Sequence, residues 1–111
     1  MKDLKQSTKQ RFVGFDFDYP AADLEASIIA SETGIHKADA VRLVKVGAAA
    51  RALKGHGLDE GISTRLLVYA ATLIQAEVNP LDACRMALVR PITDDADIRA
   101  TLDHAIDAIF A

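Results

Sequence analysis

A mainly α fold is expected, about four to five helices behind one strand, and three observations lead to it. Hydrophobic residues make up 50% of the 111 residues, yet aromatics are only 5% and Trp is absent. Much of that apolar content is Ala, which suits closely packed helices. After Pro20 the apolar residues recur at spacings of three and four, while only the stretch from Arg11 to Asp18 alternates.

Lys2 to Gln10 is polar and reads as a short helix or a helix end. In Arg-Phe-Val-Gly-Phe-Asp-Phe-Asp, residues 11–18, Val13, Phe15 and Phe17 share one face of a strand. A lone strand has no ladder partner and is unstable in water. Either a second chain completes the sheet or further strands precede Met1, and the second is the expectation: a chain cut from a larger domain.

Pro20 suits a first helical position, Leu24, Ile28 and Ile29 give the first helical stripe, and Gly34 closes it. A second helix is expected over about 37–54, with Val41, Leu43, Val44, Ala48, Ala52 and Leu53 inward in part and Arg42, Lys45 and Arg51 facing water. Gly55-His56-Gly57 breaks it. A third runs from Ser63 to about Glu77, with Leu66, Leu67, Tyr69, Ala70, Leu73 and Ile74 apolar. Asn79-Pro80 caps a short fourth helix with Leu81, Cys84, Met86, Leu88 and Val89 as apolar positions, and Arg90-Pro91 stops it. Thr93, Asp94 and Asp95 offer caps for a last helix carrying Ile98, Leu102, Ala105, Ile106 and Ile109.

The length allows one domain or part of one. A net charge of −3 gives no basic footprint for nucleic acid. No apolar run is long enough to span a bilayer, and the first residues lack the apolar segment of a signal peptide. The single cysteine, Cys84, suits a reducing, cytoplasmic setting.

Several chemistries can be set aside. The chain has no G-x-x-x-x-G-K-[ST], no H-E-x-x-H, no C-x-x-C and no EF-hand loop. His36, His56 and His104 share no ligand spacing, and read as a helix start, a loop residue and a solvent-facing position. A lone Cys at an apolar helix position is core rather than nucleophile. Asp16 and Asp18 could form a carboxylate pair, but a strand turning polar before a helix accounts for them. Asp94, Asp95 and Asp97 complement a helix dipole rather than bind metal. No metal site is expected.

Two arginines need more thought. Arg65 sits in the first turn of the third helix, behind Gly57-Leu58-Asp59-Glu60-Gly61-Ile62-Ser63-Thr64. The dipole there favours anions over cations. Two readings stand: a surface pair with Asp59 or Glu60, or a phosphate-sized site built from free N–H groups and a guanidinium. Arg11 precedes the strand, and is either a surface cation beside Lys5 and Lys9 or an arginine aimed at a neighbour's phosphate.

Four phrases, in order, carry a resemblance: Arg11-Phe12-Val13 with Asp16-Phe17-Asp18-Tyr19-Pro20; Leu53-Lys54-Gly55-His56-Gly57-Leu58; Gly61-Ile62-Ser63-Thr64-Arg65-Leu66-Leu67-Val68-Tyr69-Ala70; and Pro91-Ile92-Thr93-Asp94-Asp95. Together they resemble the end of a MoxR-type AAA+ ATPase, in its CbbQ/NorQ branch of helpers that activate Rubisco or nitric oxide reductase. The resemblance covers nearly the whole chain but only the last part of such a protein; the phosphate loop, Walker B acids and sensor-1 position are missing here. It implies that residues 1–19 end the nucleotide-binding core and that 20–111 form an all-helical lid. It implies that Arg11 is the arginine finger acting on the adjacent subunit, and that Arg65 is sensor 2, supported by Gly61, Ser63 and Thr64. The cofactors so implied, ATP and Mg, belong to the complete protein, and the chain alone would not hydrolyse ATP. The implied partners are the upstream core, a homo-oligomeric ring, expected to be a hexamer, and a target enzyme. The competing class is a stand-alone, non-enzymatic helical interaction module.

Overall fold

Small residues set the architecture. The structure, a computed structural model, describes residues 19–54 and 62–111. The expected strand, Arg11 and Gly61 lie outside them. Five α-helices follow in order: α1 Ala22–Thr33, α2 Lys37–Ala52, α3 Thr64–Gln75, α4 Pro80–Cys84 and α5 Ala96–Phe110. The mainly α expectation therefore holds, and no strand occurs among the described residues.

The middle of the fold is made by α2 and α3. Helix α2 packs on α1, α3 and α5, whereas α3 packs on α1, α2 and α4. No contact links α1 to α5. Ala26, Ala40, Ala50, Ala70, Ala71 and Ala87 are all buried among Ile29, Leu43, Leu67, Leu88, Leu102 and Ile106. Their short side chains let helix axes come close. At Gly47 α2 comes close to α3, since an added Cβ would lie 3.1 Å from Leu67 Cδ1.

The helix ends follow local chemistry. Gly34 ends α1 at φ 83°, and its N–H donates to Ala30 O at 2.8 Å. Ser63 caps α3, accepting from Leu66 N at 3.3 Å. Asn79 caps α4 with Pro80 directly behind it. Asp95 caps α5, accepting from the amides of Asp97 and Ile98 at 2.8 and 3.0 Å. The end of α3 is less well matched. Val78 N donates to Leu73 O and Glu77 N to Ile74 O, which is a Schellman closure with Glu77 at φ 71° where glycine is usual.

Five expectations need correction. Helix α1 starts at Ala22 rather than at Pro20, because Ala21 is still extended at ψ 150° and only its carbonyl takes the first helical bond, from Glu25 N. The inward stripe of α1 is turned by one residue: Leu24 is 56% exposed while Glu25 is fully buried. On α2, Val41, Ala48 and Ala52 are exposed and Val46, Gly47 and Ala50 take the core. The fourth helix is α only to Cys84 and then widens into a π turn, Arg85–Val89, closed by Arg90 N donating to Arg85 O at 3.0 Å. Met86 and Tyr69 point outward, 44% and 50% exposed, while their sequence neighbours Ala70, Ala71 and Ala87 take the buried positions.

The two left-handed positions predict opposite outcomes. Placing a side chain there costs about 1–2 kcal/mol, partly offset by glycine's larger chain entropy. Gly34→Ala should destabilise the chain by about 1 kcal/mol, and Glu77→Gly should stabilise it by a few tenths to about 1 kcal/mol. Urea unfolding midpoints measure both, and equal shifts of one sign would contradict the end geometry.

Candidate functional site

One buried charge governs the end of the fold where Arg65 lies. Glu25 is the only charged residue in the core of the described chain. It projects inward from the first turn of α1, where its partner comes from the last turn of α2. Arg51 donates through Nη1 to Glu25 Oε1 at 2.9 Å and through Nη2 to Oε2 at 2.8 Å, a two-pronged pair. Its Nε donates to the carbonyl of Ile62 at 2.8 Å. Thr64 Oγ1 donates to Glu25 Oε2 at 2.6 Å. The Tyr19 ring covers the guanidinium at 3.7 Å from its carbon.

Arg51 therefore does not face water as its sequence position suggested; its side chain is 14% exposed. Each guanidinium nitrogen and both carboxylate oxygens have a partner, as a buried ion pair requires. Burial pushes the Glu25 carboxyl up, but the hydrogen bonds from Arg51 and Thr64 and the guanidinium charge outweigh it and hold the group below its ordinary value.

The cluster fixes the start of α3 from both sides, through the Ile62 carbonyl and the Thr64 hydroxyl. Arg65 follows immediately. It is exposed, on the rim of an open cleft of about 340 Å³ with Ile28, Glu32, Thr64 and Val68. The first turn of α3 contains no acid. Ser63 O accepts from the amides of Leu66 and Leu67 at 3.1 and 3.2 Å, so among the described residues Thr64 and Arg65 carry the open amides of this end. Arg65 forms no ion pair among the described residues. Asp59 and Glu60, its alternative surface partners, lie outside them, as do Arg11, Gly61 and His56. Of the predicted site residues, Ser63, Thr64 and Arg65 are thus together on one helix start.

The remaining candidates are structural. Cys84 is fully buried, and burial raises its thiol to about 12, which leaves no thiolate for nucleophilic chemistry. Asp95 is a cap. His36 precedes α2 and His104 faces solvent, both as expected. No cluster of metal-ligating side chains occurs among the described residues, and no described helix is long and apolar enough to cross a membrane.

Sequence reasoning missed Glu25 and Arg51. No local signal marks them, because an acid in the first turn of α1 and a base in the last turn of α2 each complement the helix dipole.

Residues 25–109 match the family model described as CbbQ/NirQ/NorQ C-terminal. Protein CbbQ of Hydrogenophilus thermoluteolus is 60% identical over 111 residues, which is 100% of this chain and 42% of the relative. The denitrification regulatory protein NirQ of Pseudomonas aeruginosa is 49% identical over 107 residues, covering 96% and 41%. Protein NorQ of Paracoccus denitrificans is 43% identical over 110 residues, covering 99% and 41%. The chain thus spans about two-fifths of the length of these relatives.

The buried pair yields a pH-dependent prediction. With its folded-state value lowered, Glu25 contributes fully above its ordinary value of 4.5 and loses that contribution as pH falls through the folded-state value. Glu25→Gln should cost about 3 kcal/mol at neutral pH, and its deficit against the unsubstituted chain should shrink in acid. Replacing both partners, Glu25→Leu with Arg51→Met, should cost much less than the two single changes summed. Urea unfolding across pH measures all of these; a deficit constant from neutral to acid would contradict an ionised Glu25.

Proposed function

The chain belongs to the CbbQ/NirQ/NorQ family, and on that premise we propose that it is the lid region of an AAA+ ATPase that activates or remodels a target enzyme. In this reading residues 20–111 form the lid and residues 1–19 end the nucleotide-binding core. The observation that carries it is Arg65, exposed beside the open amides of an N-capped helix whose first turn holds no acid. That arrangement suits a phosphate oxygen: the helix end supplies N–H donors and partial positive charge, and the guanidinium supplies full charge and a fork of donors.

ATP, bound with Mg in the complete protein, supplies the phosphoryl group and the free energy of its hydrolysis. Arg65 acts as sensor 2, holding a phosphate oxygen from the lid side. Ser63 keeps the helix end wound, and Thr64 fixes it to Glu25. When the phosphates change, Arg65 gains or loses its anion, and the lid shifts as a body relative to the core. Arg11, by family likeness, acts as the arginine finger and offsets negative charge on the nucleotide of the neighbouring subunit in a homo-oligomeric ring, expected to be a hexamer. The name of the relative NirQ, a denitrification regulatory protein, connects that relative with denitrification; Rubisco or nitric oxide reductase as the target enzyme rests on the family resemblance. No observation favours the stand-alone interaction module over this reading.

Substitutions in the full-length protein test the two roles. Arg11→Ala should lower ATP turnover about 10³-fold or more, and Arg65→Ala about tenfold or more, since it removes a charged hydrogen-bond donor. Circular dichroism should show the helices unchanged in both. Turnover close to that of the unsubstituted protein in either variant would overturn that residue's role.

A further inference from the structure

We propose that Glu25, Arg51 and Thr64 are positioning residues for Arg65, holding the start of α3 in the register at which its arginine meets phosphate; this rests on the sensor-2 reading above. None of the three is a bland helix contact. Glu25 is fully buried, in a first turn where an exposed acid would satisfy the dipole equally well. Burying it costs desolvation that a purely apolar side chain would avoid. What the charge achieves is directional. Its Oε2 receives both Arg51 Nη2 and Thr64 Oγ1, so the α2 end and the α3 start converge on a single oxygen.

Arg51 closes the arrangement from the other side. With both Nη groups on Glu25, its Nε is left to meet the Ile62 carbonyl, two residues before Thr64. The segment from Ile62 to Thr64 is thereby held at both ends by polar contacts of fixed geometry. Apolar packing alone would not select one register so sharply, because it is non-directional. The hydroxyl of Thr64 points into the fold while the next side chain, Arg65, points out to the cleft. The orientation of the arginine is thus a direct product of where the hydroxyl is held. Tyr19 lies on the outer face of the same guanidinium, so the entry to the helical unit and the start of α3 share one anchor.

The test uses Thr64→Val in the full-length protein, which keeps shape and removes only the hydroxyl, with Thr64→Ser as the conservative control and Arg65→Ala as the reference. Thr64→Val should speed amide hydrogen exchange of Leu66 and Leu67, whose amides donate to Ser63 O, about tenfold or more, the loss of one hydrogen bond to a charged group, with α5 unaffected. It should raise KM for ATP about tenfold while changing kcat little, the pattern of lost ground-state positioning. General destabilisation would instead lower the active fraction and leave KM alone. Thr64→Ser should restore both readouts. Unchanged exchange at Leu66 and Leu67 overturns the positioning role. So does an unchanged KM in Thr64→Val when Arg65→Ala is impaired, and in that case the sensor-2 reading survives. Full turnover in Arg65→Ala overturns both.

Discussion

A single carboxylate, buried where three helix ends meet, is the constraint on which the end of the fold that carries Arg65 depends. Glu25 cannot stay ionised in the core unless Arg51 and Thr64 reach it, and they reach it only if α2 ends and α3 begins where they do. The requirement runs both ways. Removing the acid leaves Arg51 without its partner, and removing the base leaves a charge in an apolar interior. Segments far apart in the chain are therefore tied by an interaction that tolerates little drift in distance or angle.

The rest of the core imposes a different kind of order. Alanines at Ala40, Ala50, Ala70 and Ala71 let helices approach, but they supply little shape to distinguish one sliding position from the next. The polar cluster at one end and the caps at Ser63, Asn79 and Asp95 supply the missing specification. At the other end, Arg85 bridges from the π turn to Asp103 and Asp107 on α5, both at 3.3 Å. These contacts are half-exposed and contribute less than the buried pair, yet they draw the π turn against α5.

Those parts of the fold that depend on local chemistry were legible in the sequence. Gly34, Ser63, Asn79-Pro80 and Asp95 each act within a few residues of themselves, so the helix boundaries could be read to within about two residues. The identity of Arg65 as a residue at a helix start was legible for the same reason. What could not be read locally was Glu25 with Arg51. An acid in a first turn and a base in a last turn are each sufficiently explained by the dipole, and nothing within either helix shows that they face each other. The turn of α1 by one residue had the same cause: Leu24 looks like core until the partner of Glu25 is known. The π turn was illegible because Cys84 to Val89 has an ordinary helical composition and only the stop at Pro91 is marked.

The close contact of Gly47 with Leu67 has a mechanical consequence. Gly47 has no Cβ, and one added there would lie 3.1 Å from Leu67 Cδ1, so the leucine seats against the α2 backbone and a side chain at 47 would push α3 outward. Helix α2 also packs on α5, so that push would be resisted there as well, and the spacing of α3 and α5 about α2 hangs on one missing methyl group.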